Sequence, residues 1–178
     1  MARTGIYRKG LLAILGFALT GLLPAPLADA ANPESVTVDM TFLDPVTITE
    51  NNPLQFGLLD VNMGNNRKVT IAPDGTVTDT NGNVLGGTQA AADLTVTATA
   101  SESITILVDN VSSATGYSLE TWMCNYDAAG SDSSCDSGGY TETAVTSATL
   151  LIGATLKGNG NAVVGTDNST FDVTVVYQ

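Results

Sequence analysis

The 178 residues contain no histidine, only two cysteines and one tryptophan, and six basic side chains against 18 acidic ones. Each shortage excludes something. Without histidine, neither a Ser-His-Asp nor a Cys-His arrangement can be built. Carboxylates alone can do acid–base work when paired, but here they are scattered over turn-like stretches in no catalytic motif. An enzyme is not expected, nor is a cofactor. The shortage of Lys and Arg gives a net charge of −12, which repels nucleic acid and anionic lipid. Long apolar runs are also lacking after the first thirty residues, so no membrane span is expected in the mature chain. No Leu-Pro-x-Thr-Gly sorting signal stands near the C-terminus. No stretch beyond the first thirty residues carries an apolar period of 3.6, so helices are not expected either.

What is present begins with a leader. "MARTGIYRKG" carries Arg3, Arg8 and Lys9, "LLAILGFALTGLL" is an apolar run of 13 residues, and "PAPLADA" places Ala28 and Ala30 at small-residue positions. This is the pattern of a secretory signal peptide over residues 1–30. It implies export through the inner membrane, then a periplasmic passage to the cell surface or beyond. Cleavage after Ala30 leaves 148 residues with three basic and 17 acidic side chains, a net charge of −14. An oxidising compartment favours pairing Cys124 with Cys135. The closed ring of about a dozen residues is worth roughly 3 kcal/mol in the chain-entropy account. A reactive thiol is the alternative, although no His or nearby Lys is present to lower its pKa.

The mature chain is dominated by alternation. "SVTVDMTF" sets Val36, Val38, Met40 and Phe42 on one face. "PVTIT" does so with Val46 and Ile48, "DLTVTATA" with Leu94, Val96 and Ala98, and "SITILV" with Ile104, Ile106 and Val108. "LLIGATL" follows with Leu150, Ile152, Ala154 and Leu156, and "TFDVTVVYQ" with Phe171, Val173, Val175 and Tyr177. Period-two segments of this kind are strands with one buried face. Turn signals separate them at Pro73–Thr76, Thr80–Asn83, Gly86–Gly87, Gly158–Asn161 and Gly165–Asn168, and Asn-Gly or Asp-Gly between strands marks hairpins. The expectation is an all-β, antiparallel β-sandwich. Its parts are an N-terminal extension over residues 31–43 and a sandwich over 44–178. Asp127–Gly139 reads as a polar surface excursion. Its Asp127, Asp132 and Asp136 offer oxygen ligands for calcium, without the spacing of an EF-hand. Tyr117, Trp122 and Tyr126 are candidates for a sugar platform, but on a regular strand the odd spacing of Tyr117 and Trp122 puts them on opposite faces.

The order of these segments resembles the bacterial domain of unknown function 4402 family. The matching residues are Pro45, Val46, Ile48, Leu54, Phe56 and Gly57 at the start, and Val69, Ile71, Pro73 and Gly75 in "VTIAPDGTV". They continue in "AADLTVTA" and close with Gly165, Thr166, Ser169, Phe171, Val173, Thr174, Val175 and Tyr177. Asp167 and Thr170 depart from the Tyr and Gly that the family tends to carry. The resemblance implies a secreted protein with an immunoglobulin-like fold, often encoded beside chaperone–usher pilus machinery. "FDVTVVYQ" is similar to the closing strand of chaperone–usher pilins. "VTVDMTFLDPVTI" is similar to the N-terminal extension of colonisation-factor fimbrial subunits.

In such fibres a subunit lacks one strand, and the N-terminal extension of its neighbour fills the gap beside the C-terminal strand. The resemblance therefore implies a structural fimbrial subunit that supports adhesion. Val36, Val38, Met40 and Phe42 would be the donor side chains, with Phe171, Val173, Val175 and Tyr177 on the acceptor edge. Its partners would be copies of itself, a periplasmic chaperone and an outer-membrane usher. Two alternatives stand beside this. Val36–Phe42 can equally be the domain's own first strand, because the side-chain pattern is the same either way. The chain can also be a self-contained surface or matrix module that binds a carbohydrate or a protein.

Overall fold

The computed structural model describes residues 35–112 and 114–178. The signal peptide expected over residues 1–30 lies outside the described residues. The chain divides into Met1–Met40 and Thr41–Gln178, and the second unit holds every strand found among the described residues. These are β1 (Thr47–Asn52), β2 (Leu58–Leu59), β3 (Lys68–Ile71), β4 (Val77–Asp79), β5 (Val84–Gly86) and β6 (Ala92–Thr97). They continue as β7 (Ser103–Asp109), β8 (Tyr117–Tyr126), β9 (Ser133–Ser134), β10 (Tyr140–Thr143), β11 (Ser147–Gly158) and β12 (Asp172–Tyr177). The described residues contain no helix, and none long and apolar enough to cross a membrane.

β11 organises the larger sheet. One of its edges carries β6 along Ser147–Ile152 and then β3 along Ala154–Lys157, while the other edge carries β8. β1 flanks β6, β4 flanks β3 and β9 flanks β8. Gly153 sits where β3 turns away and β6 takes over. A Cβ there would lie 2.2 Å from the Ile71 carbonyl oxygen, so only glycine lets the two strands share one edge. The smaller sheet has the order β10-β7-β12, and β2 with β5 forms a separate ribbon. All pairs are antiparallel.

The two sheets form a β-sandwich around one main core. Val96 of β6, Ile104 and Ile106 of β7, Cys124 of β8, and Leu150 and Ile152 of β11 are all fully buried. These are the inward positions of the alternation, as period-two patterning requires. A smaller cluster of Met63, Val69 and Leu156 lies beneath Leu59 and Val84 of the β2–β5 ribbon. On the larger sheet, Lys68 pairs with Glu120. That hydrogen bond from Lys68 is the main reason the Glu120 carboxyl is held below its usual range.

Four expectations change in detail. The Asn81-Gly82 turn does not close a hairpin: β4 pairs with β3, and β5 pairs with β2. The cause is Asp79, whose carboxylate accepts the backbone N–H of Asn81 and Val84 and the side-chain amide of Asn83. This folds the chain out of one sheet and into the ribbon. Second, β8 is not regular. Thr121 has φ +56°, and the ladder to β11 slips between Gly153 and Thr155. A bulge of this kind adds one residue, so Leu119 and Tyr117 turn inward together with Trp122, Cys124 and Tyr126. Third, the excursion is partly built in. Ser133–Ser134 pair back onto β8, and Cys135 is buried and bonded to Cys124. Fourth, Val36–Phe42 does not form a strand: no regular structure is found from Ser35 to Val46. An alternating segment needs a hydrogen-bonded neighbour to become a strand, and among the described residues it has none.

Candidate functional site: an unpaired sheet edge

β12 runs along β7 from Asp172 opposite Asp109 to Tyr177 opposite Ile104, with no slip in register. Its other edge carries no strand among the described residues of Thr41–Gln178. β1, the last strand of the larger sheet on the same side, is likewise paired on one edge only. The sandwich is therefore open along one side. Between the two edges lies a cleft of about 200 Å³, lined by Glu50 of β1, Pro53, Leu54, Ala92 and Leu94 of β6, and Phe171 and Val173.

The expected acceptor residues lie together on the inward side. Val175 is buried, and Phe171, Val173 and Tyr177 are half-buried against the core. Phe171 packs on Trp122 with ring centroids 4.6 Å apart at 44°, an oblique geometry favoured by aromatic quadrupoles. The Tyr177 hydroxyl donates to the Asp44 carbonyl at 2.8 Å and accepts the Thr99 N–H at 2.6 Å. The Asp44 N–H in turn donates to Thr99 Oγ1 at 2.8 Å. The start of the sandwich and the end of β12 are thus tied at one end of the fold. The expected donor side chains Val36, Val38, Met40 and Phe42 are all exposed, with Phe42 at 87%.

The two edges differ in how they are guarded. β1 has a bulge between Glu50 and Asn52 and is bracketed by Pro45 and Pro53, devices that discourage pairing. β12 has no bulge, no Pro and no Lys. Of Leu94 and Ala92, which floor the cleft, Leu94 reads from the sequence as an ordinary core position. Their place beside an open edge depends on strand order, which no local pattern encodes.

The other candidates fare differently. Trp122 and Tyr126 are buried, so the sugar platform is not on the surface. Asp132 accepts the Asn125 amide and Asp136 the Ser134 hydroxyl. Among the described residues, no group of three His, Cys, Asp or Glu is placed to hold a metal. A second hollow, of about 410 Å³, is lined by Asn52, Gln55, Asp74, Gln89 and Asp93 among others.

The description of one domain family, domain of unknown function (DUF4402), matches residues 46–177. The chain belongs to the DUF4402 family. No curated protein and no solved structure matches it. The DUF4402 match opens one residue before β1 and ends on the last residue of β12. It therefore takes in both open edges and leaves the Ser35–Asp44 segment outside.

Proposed function

We propose that this chain is an exported, non-catalytic subunit of a bacterial surface fibre. In this reading Val36–Phe42 of one copy pairs with the free edge of β12 in the next. The observation that carries it is the unguarded edge of β12 above an apolar cleft, in a chain that also exposes an alternating apolar segment with no partner strand among the described residues. Strand addition uses these two parts: main-chain hydrogen bonds hold the added strand, and alternate side chains fill pockets. Lengths agree. Seven donor residues extend about 23 Å and the six of β12 about 20 Å, at roughly 3.3–3.4 Å per residue. Pairing is head-to-tail and does not close, so it makes a filament. An open apolar edge aggregates before assembly, which suits capture by a periplasmic chaperone and delivery to an outer-membrane usher.

The second reading is a self-contained surface module that binds a carbohydrate or protein. Its support is the larger hollow, whose amides and carboxylates suit hydroxyl groups. Light scattering on Ala31–Gln178 and on a chain starting at Asp44 separates the two. Fibre assembly gives detergent-resistant, heat-labile multimers that vanish in the shorter form. A stable monomer of the longer form overturns it.

A further inference from the structure

The fold has two distinct ends. The exit end holds Asp44, where the extension joins, together with Thr99, Ser103, Ser147 and Tyr177. The opposite end holds the last residue of β11, the first of β12, and the loop Asn159–Thr170 between them. That loop is anchored. The Asn159 N–H donates to the Gly116 carbonyl at 3.0 Å, the Thr170 N–H donates to Ser112 Oγ at 2.7 Å, and Ser169 bonds the Tyr117 hydroxyl at 2.8 Å. Gly116, at φ +102°, lies so close beneath Ala162 that a Cβ would meet its Cα at 2.4 Å. Yet the loop holds Val163 and Val164 in solvent, 75% and 91% exposed. Two adjacent apolar side chains displayed from an anchored loop form a small apolar patch that a docked neighbour could cover.

The covalent geometry says what covers it. Leu43 alone separates Phe42 from Asp44, so those two residues stand at most about 7 Å apart. A donor strand parallel to the recipient's β12 would bring Phe42 to the recipient's exit end. Exit ends would then face each other, and exchange would close as a dimer. Antiparallel to β12, Phe42 reaches the recipient's opposite end. The short link then draws the donor's exit end onto the recipient's Asn159–Thr170 loop, an arrangement that repeats without limit. We infer that this loop is the docking face for the exit end of a second copy of this chain, with Val163 and Val164 packing over the neighbour's Leu43. Leu43 is 38% exposed in the isolated chain. The inference rests on the donor-strand reading.

The test is a full-length chain carrying both L43C and V164C, mildly oxidised, with each single variant as control. Both positions are at the surface, so folding is preserved. The expected result on a non-reducing denaturing gel is a ladder extending past the dimer in the double variant alone, since each single variant links at most two chains. If unheated samples still show detergent-resistant multimers but the double variant gives no ladder past the dimer, the docking face is wrong and the donor-strand reading stands. If no such multimers form, both fall.

Discussion

Asp44 is pinned at the exit end through Thr99 and Tyr177, while the mouth of the cleft at Phe171 is at the other end of β12. For a chain to fill its own groove antiparallel to β12, Phe42 would have to travel the length of that strand, about 20 Å. The single-residue link allows about 7 Å. A donor that pairs antiparallel to β12 would therefore be obliged to act on another copy, and lengthening the link should remove that obligation. Twelve Gly/Ser residues inserted between Leu43 and Asp44 have a root-mean-square span of about 17–21 Å, which matches the gap. A tethered donor then competes at an effective concentration of about 1 mM. Against a neighbour at about 10 μM this favours self-filling by about a hundredfold, or roughly 2.7 kcal/mol. Light scattering at about 10 μM should show wild-type multimers replaced by a monomer. That monomer should melt higher than the chain starting at Asp44, because its groove is filled. Should the lengthened chain polymerise as the wild type does, the geometric account of donor direction is refuted.

Phe42→Asp removes an exposed side chain and should leave the domain's own melt unchanged. It should weaken multimers by about 1.5–3 kcal/mol, the burial of one such side chain, which dilution series read as about ten- to a hundredfold. A lowered melt would place Phe42 in its own core. Tyr177→Phe deletes the bonds to Asp44 and Thr99 and should cost about 1–3 kcal/mol in chemical denaturation, while a neutral result would mean that the exit end is not held there. Asp79→Ala leaves the buried Asn83 amide without its carboxylate and should cost about 1–3 kcal/mol at neutral pH. Burial works to raise the Asp79 carboxyl, but the N–H groups of Val84 and Asn81 and the Asn83 amide outweigh it and hold the group below its usual range. Its contribution is thus present above the unfolded pKa and lost as pH falls through the folded one. Wild type should therefore lose stability in acid more steeply than the Asp79→Ala chain, and parallel pH profiles would count against this. Replacing Cys124 and Cys135 together by Ala opens a ring of sequence separation 11. It should shift the denaturation free energy by about 3 kcal/mol, and an unmoved midpoint would show that the ring does not constrain the unfolded chain.

Much of the sandwich was legible because alternation is a local signal. Val96, Ile104, Ile106, Leu150, Ile152 and Val175 are buried where the period of two puts them. What stayed hidden is non-local or lies in single backbone angles. The bulge at Thr121 reverses the facing of Tyr117 relative to Trp122, and nothing in "ETWMC" announces a positive φ. Asn81-Gly82 has the chemistry of a hairpin turn, yet Asp79 sends the strand after it into another sheet. The cleft was half legible. Phe171, Val173, Val175 and Tyr177 could be named from their pattern, whereas Leu94, Ala92 and Leu54 belong to the site only through strand order.

The energetics of the proposed junction leave one strand and one groove only a narrow margin. Burying four donor side chains gives about 6–12 kcal/mol gross, at about 1.5–3 each. Ordering seven residues of an unpaired segment costs about 7–14 kcal/mol, at about 1–2 per residue. The plugs alone leave a junction near balance. Main-chain hydrogen bonds along β12 then contribute about 0.5–1.5 kcal/mol each, enough to hold a copy in place but not to make the junction permanent on heating. A second contact that needs no further ordering adds its full burial to that margin. The anchored loop with Val163 and Val164 would be such a contact, since it is already held by hydrogen bonds to Gly116, Ser112 and Tyr117 within its own chain. In the proposed junction the unguarded edge would decide where a second copy attaches, and the pre-ordered loop would supply the margin that keeps it there.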